Sequence, residues 1–256
     1  MNDLLRYKDI ILYRILAGLK SEARKNYLGY LWFILEPLLA TGVFYFAMTH
    51  LTGQRGPTAV LTILVGMTAW QWFEGSVMLS ANSIVAKFHV HMQVPLPKYI
   101  FPMVDVGTNT VRFGFSFVLI ILACWLLVAG PSLALPWLAL VLALQFVFII
   151  SLSLAVSILV TLFSDLLLLL NSIFRLLFFG SGIFFTVDKV PEHLLPYFYA
   201  NPIAVFIDSY REIILFQRAP NLILLGEAAL TTAKILVISG CIQYYFDKRL
   251  LKLTNV

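Results

Sequence analysis

Charge is what this chain has least of. Of its 256 residues only 12% are Asp, Glu, Lys or Arg, against 61% hydrophobic. A soluble domain carries about a quarter charged and about half apolar residues, so an ordinary water-soluble domain is excluded. Cysteine is almost missing. Cys124 and Cys241 fall inside apolar runs and read as small buried residues rather than a disulfide. Nucleotide-binding loops are missing too: there is no G-x-x-x-x-G-K-[ST] and no G-x-G-x-x-G. If ATP drives anything here, another chain must hydrolyse it. His89 and His91 have no further ligands near them in sequence, which argues against a metal site. No Ser/His/Asp set or carboxylate pair points to catalysis.

What fills the chain instead is apolar runs of about 20 residues, the mark of a polytopic membrane protein. The runs are continuous rather than short and alternating, so they predict helices and not a barrel. The fold class is an all-α polytopic membrane protein in a single domain, 1–256. Residues 1–28 form an amphipathic segment and 29–256 a six-span bundle. Spans are predicted at 30–51, 58–80, 103–129, 135–162, 166–186 and 222–246. Gly53 to Pro57 turns the chain between the first two, Gly130-Pro131 breaks the third from the fourth, and Ser164-Asp165 breaks the fourth from the fifth. No cleavable signal peptide is read, because the first apolar run follows a charged segment and has spanning length.

Lys and Arg set the orientation. Arg6, Lys8, Arg14, Lys20, Arg24 and Lys25 precede the first span, Lys87 and Lys98 lie in the 81–102 loop, and Lys248, Arg249 and Lys252 close the chain. Only Arg55, Lys189, Arg211 and Arg218 fall on the other side. The excess places both termini in the cytoplasm. The net charge of +5 is modest and suits anionic lipid better than nucleic acid.

Residues 3–20 predict a helix lying in the headgroup plane. Leu4, Leu5, Ile11, Leu12, Ile15, Leu16 and Leu19 share one side, and Arg6, Asp9, Arg14 and Lys20 the other. Two connections are too long to be simple turns. The 82–102 loop holds a short helical stretch before Pro95, Pro97 and Pro102. The 186–221 loop holds apolar pieces around Pro191, Pro196 and Pro202 that are too short to span and suit re-entrant or interfacial helices.

Ionisable residues inside spans are costly, so each is a functional candidate. Asp105, Asn109 and Arg112 share one face of the third span, where an Asp–Arg pair fits either a structural clamp or a substrate contact. Glu36 and Glu74 lie within or near spans, Glu36 close to the cytoplasmic surface. Asn171, Arg175, Phe178 and Gly182 share a face of the fifth span, with Arg175 about 14 Å deep at 1.5 Å per residue. Such an arginine fits either a wet conduit or a carboxylate on a neighbouring helix. Tyr30, Trp32, Phe33, Phe44, Tyr45 and Phe46 crowd the first span; Phe174, Phe178, Phe179, Phe184 and Phe185 crowd the fifth. Aromatic rings suit sugar faces, and they equally suit membrane interfaces.

Residues 28–37, Leu-Gly-Tyr-Leu-Trp-Phe-Ile-Leu-Glu-Pro, follow a basic amphipathic segment. This join resembles the start of the first span in ABC-2 type permeases, and most of all the subgroup that exports O-antigen, capsular polysaccharide and teichoic acid. Tyr199-Ala200-Asn201-Pro202-Ile203 followed by Ser209-Tyr210-Arg211-Glu212 resembles that family's signature ahead of the last span. Val190 to Leu194 resembles its short outward-facing segment. Phe163-Ser164-Asp165 keeps only the Asp of the Arg-Asp pair many relatives carry there, so no role needing the Arg is transferred.

The resemblance implies a homodimer joined to two copies of a separate ABC ATPase, in a bacterial inner membrane, with no cofactor on this chain and ATP and Mg on the ATPase. Its substrate would be a lipid-linked polysaccharide. By the same resemblance, the N-terminal segment would be an interface helix and Lys87, Phe88 and His89 would couple to the ATPase. Tyr30, Trp32, Phe33, Phe44, Tyr45, Asn171, Phe174, Arg175, Phe178 and Phe179 would line a conduit. Leu194, Phe198, Tyr199 and Pro202 would belong to re-entrant gate helices. Arg24 and Lys25 stand where an anionic lipid head would arrive. The alternatives are an ABC-2 permease for a small amphiphile or lipo-oligosaccharide, and a membrane-embedded enzyme acting on polyprenyl-linked sugars.

Overall fold

The computed structural model describes residues 2–25, 29–52, 56–86, 96–128 and 130–253; within these, side chains at 2–6, 22–25, 30, 33, 37, 48, 51–52 and 247–253 are not described. Among the described residues there are helices and no strand. They are α1 (Asn2–Lys25), α2 (Trp32–Thr52), α3 (Pro57–Ala81), α4 (Ser83–Ala86), α5 (Ile100–Leu127), α6 (Leu135–Leu162), α7 (Leu166–Gly180), α8 (Leu195–Tyr199), α9 (Pro202–Ile214) and α10 (Leu222–Leu253). Short 3-10 turns occupy Gly29–Leu31, Val187–Lys189 and Glu192–Leu194.

Among the described residues three helices are long and apolar enough to cross a membrane: Ile100–Leu127, Leu135–Leu162 and Leu222–Phe246. They match the sequence-predicted third, fourth and sixth spans within a few residues. The fifth prediction differs more. α7 stops at Gly180, and its 15 residues measure about 22 Å, short of a hydrocarbon core of about 30 Å. Gly182 (φ +70°) adopts the left-handed conformation that ends a helix, and Ser181 to Phe185 continue as irregular backbone.

α3 is the axis of the bundle. α2, α5, α6, α7 and α9 all pack on it, and most of its length is buried. A helix that is apolar on every side belongs at such a centre. Its few polar groups are tied down. Asn109 of α5 donates to the Trp72 carbonyl (3.1 Å) and to Ser76 Oγ (2.9 Å), and Trp72 Nε1 donates to Thr110 Oγ1 (3.1 Å). Gln145 of α6 donates to the Ala69 carbonyl (3.0 Å). Trp70 Nε1 donates to Glu74, so that carboxylate serves its own helix. On the 105–112 face it is Asn109 that knits α5 to α3.

α1 is amphipathic, but it divides its apolar residues. Ile15 and Leu19 are buried against Leu96, Ile100 and Val104. Gly107 of α5 has no Cβ, and Ile15 occupies the space one would need. Leu12 and Leu16, predicted on the same side as Ile15, stay exposed, Leu16 at 67%. One helix face cannot serve both a protein groove and a wide apolar surface; the groove takes Ile15 and Leu19.

Candidate functional site

The 199–214 segment, whose sequence carries the second family-like motif, is built around Arg211. α9 is a 13-residue helix, about 20 Å long, with ten of its residues buried. It packs on α3, α6 and α10. Its start follows from local chemistry. Asn201 caps it, accepting from Ile203 N at 3.1 Å, and Pro202 occupies the first turn, where a missing N–H costs nothing. Asn201 Nδ2 also donates to Ser181 Oγ (2.8 Å), fastening the helix start to the end of α7.

Arg211 is 2% exposed, and its partners are backbone carbonyls. Nε and Nη2 donate to Thr62 O at 3.2 and 3.0 Å, Nη1 to Gly182 O (2.7 Å) and Phe185 O (2.9 Å), and Nη2 to Ile183 O (2.7 Å). These five bonds use all five donors of a guanidinium. Irregular backbone deep in a bundle is tolerated only where protein satisfies it, and here one side chain satisfies three carbonyls of the unwound stretch after α7. Burial lowers the Arg211 pKa to about 10, against the opposing pull of Asp208, so the group stays protonated at neutral pH. Gly66 makes room for the guanidinium, and Gly182 makes room for the Phe198 ring. A Cβ on Gly66 would stand 2.9 Å from Arg211 Nη2, and one on Gly182 would stand 2.7 Å from the Phe198 ring.

Beyond α9 lies an acidic wall. Tyr199 Oη donates to Asp208 Oδ2 at 3.2 Å. Burial, aided by Asp188, pushes Asp208 above the ordinary carboxylate range, against the Tyr199 hydrogen bond and the Arg211 charge. Burial and Asp208 do the same to Glu212. Tyr199 is raised by its own burial and by Asp208. This wall lines a cavity of about 340 Å³, and a second of about 250 Å³ shares its lining residues Thr186 and Phe216.

The expected conduit residues divide. On α2, Trp32, Glu36, Leu39, Val43, Phe46 and His50 are exposed, and their spacing of three and four residues makes one stripe. On α7, Leu168, Asn171, Ser172, Arg175 and Phe179 are exposed. The two helices touch where Phe44 meets Phe178, with ring centres 5.6 Å apart. Phe44 also meets Phe184 at 4.6 Å. Phe174 departs from the expected set: it is 2% exposed and packs on Trp70 and Phe73. One turn of α7 must face the bundle for the helix to be held at all, and Phe174 supplies it. Tyr45 Oη accepts from Gly56 N (3.3 Å), which ties it to the turn before α3. The side chains of Tyr30, Phe33, Arg24 and Lys25, and all of Lys87, Phe88 and His89, lie outside the described residues.

Leu194 is exposed, and Phe198, Tyr199 and Pro202 are half-buried. No residue of Glu192–Leu194 or α8 is buried, whereas α9 is almost wholly so. The expected pair of gate helices is therefore unequal: α9 is anchored and the 192–199 stretch lies on the outside. Sequence reasoning missed the anchoring role of Arg211. The signal was present, since a lone basic residue amid Ile, Ser, Tyr and Ile has to find buried acceptors.

Residues 15–215 match the family described as ABC-2 type transporter. The chain is 27% identical over 206 residues to an O-antigen export system permease protein RfbA of Klebsiella pneumoniae, covering 80% of each chain. It is 23% identical over 223 residues to a protein of the same description from Myxococcus xanthus, covering 86% of each. The family match takes in α2 to α9 and the whole Arg211 anchor, and this chain belongs to the ABC-2 type transporter family.

Proposed function

We propose that this chain is the permease subunit of an ATP-driven exporter that moves a lipid-linked polysaccharide, of O-antigen type, across the bacterial inner membrane. The chain itself is a transport subunit; ATP is hydrolysed on two copies of a separate ABC ATPase, and two copies of this chain form the pore. Six spans cross the bilayer with both termini in the cytoplasm. α1 is the interface helix, Lys87, Phe88 and His89 receive the ATPase, and Arg24 and Lys25 receive the anionic lipid head. α8 and α9 are the re-entrant gate elements.

The observation that carries this reading is the exposed face of α7. Arg175 and Asn171 lie exposed in the middle of an apolar helix. Asn171 turns back to its own Leu167 carbonyl (2.9 Å), and Arg175 has no hydrogen-bond partner among the described residues. A charge in that position is costly against lipid and belongs on a watery cavity. The α2 stripe beside it adds Trp32, Phe46 and His50, rings and polar groups suited to a hydrated glycan. A pore between two copies places both stripes on its wall.

Deleting the gene should remove the polysaccharide from the cell surface and accumulate its lipid-linked form in the inner membrane facing the cytoplasm. The wild-type gene should restore export. Normal surface polysaccharide in the deletion strain would refute the reading.

A further inference from the structure

Two cavities lie side by side next to α9. The larger is lined by Asp188, Asp208 and Glu212 together with Tyr199 and Asn221. The smaller is lined by Phe184 and Phe185 with Thr58 and Thr62. Phe216 and Thr186 belong to both. Phe216 is 39% exposed. The larger cavity, of about 340 Å³, lies at the lower end of the size of small-ligand pockets, about 300–1,000 Å³.

The chemistry of the two halves is complementary. Aromatic rings offer apolar faces to the C–H side of a pyranose, while carboxylates accept hydrogen bonds from its hydroxyls. Tyr199 occupies Oδ2 of Asp208, which leaves Oδ1 and the whole Glu212 carboxylate as acceptors. A carboxylate accepting from a hydroxyl makes a charge-assisted bond, stronger than a neutral one. Three carboxylates repel phosphates and uronates, which makes an anionic lipid head a poor occupant. Among the described residues no group of three or more such side chains is placed to hold a metal ion.

We propose that this cleft is a binding site for an uncharged sugar unit of the exported glycan, with Phe216 as the stacking platform and Asp208 and Glu212 as hydroxyl acceptors. The proposal rests on the export reading above. In the orientation given there, the cleft opens on the outer side of the membrane, apart from the α2 and α7 stripes. It would hold the emerging chain at the exit, so that the glycan does not slide back between ATP cycles.

The test places p-benzoylphenylalanine at position 216, at 179 on the α7 stripe, and at 126 as a control. Leu126 is 85% exposed on α5 and does not line either cavity. The three proteins are made in the native strain with its ATPase and illuminated in intact cells, and the permease is blotted for glycan. A glycan-bearing adduct is expected from position 216 and none from 126. Adding Asp208→Asn and Glu212→Gln should lower the 216 adduct about tenfold, the loss expected from two charge-assisted bonds becoming neutral ones. If the pair lowers the amount of permease in the membrane, Glu212→Gln alone is scored per molecule of permease. An adduct at 179 with none at 216 overturns the cleft and leaves the export reading standing. So does a 216 adduct that the carboxamide substitutions leave unchanged. No adduct at any position, with normal surface polysaccharide after gene deletion, overturns both.

Discussion

Replacing Arg211 with Met removes the five hydrogen bonds that this side chain makes from α9 to the rest of the bundle and leaves a shorter, uncharged side chain. The cost can be worked from the partners. Thr62 lies inside α3, but the carbonyls of Gly182, Ile183 and Phe185 follow the end of α7, and among the described residues no main-chain amide donates to them. Each buried carbonyl left unmade costs about 1–3 kcal/mol, so three give at least about 3 kcal/mol. For a chain of this size that lowers Tm by about 6–12 °C. Arg211→Lys keeps the charge but offers three donors from one nitrogen, so about one carbonyl is orphaned and the loss is nearer 1–2 kcal/mol. The assay is thermal unfolding of the detergent-purified protein followed by size-exclusion fluorescence. The expected order is wild type, then Lys, then Met. A Met variant within about 2 °C of wild type would show that the carbonyls find other donors, and the anchor argument would fail.

Gly66→Ala pushes a methyl against Arg211 Nη2 at 2.9 Å and against the Ile183 backbone at 3.3 Å; a loss of about 1–3 kcal/mol is expected, read by the same unfolding assay. Asp208 has a folded pKa above its unfolded value of about 3.9. Its contribution to stability is therefore full below that value and lost as pH rises through the raised one. Asp208→Asn keeps an acceptor for Tyr199 and should flatten the fall in Tm between pH 4 and the neutral range, with Glu212 leaving a residual slope; an unchanged profile counts against the burial argument. Arg175→Leu removes an exposed side chain and should leave stability within about 0.5 kcal/mol, while surface polysaccharide is lost; normal export by this variant would remove Arg175 from the conduit.

The anchoring of α9 shows where sequence reading succeeded and where it stopped. The Asn201-Pro202 pair is a helix start by chemistry alone, a side-chain cap followed by a residue with no N–H to lose. The 3–20 periodicity gives α1, and apolar length gives α5, α6 and most of α10. These properties are local: they depend on neighbours within a turn or two. The fifth helix is different. Residues 181–186 are as apolar as those before them, so length and hydropathy carry the prediction on to 186, while the chain unwinds after Gly180.

The unwinding is a long-range decision. Arg211 supplies donors to carbonyls 26–29 residues earlier and to one 149 residues earlier. Phe174 likewise turns inward because Trp70 and Phe73 of α3 are there to receive it, not because its own helix marks it as different. The sequence by itself determined that this is a helical membrane protein of the ABC-2 kind and where its long apolar helices lie. Only the tertiary structure decided which helix is central, that α9 is anchored while 192–199 lies outside, and that Phe216 lines the same cavity as Asp208 and Glu212. Those outcomes depend on pairing groups far apart in the chain, and periodicity reports nothing about partners at that distance.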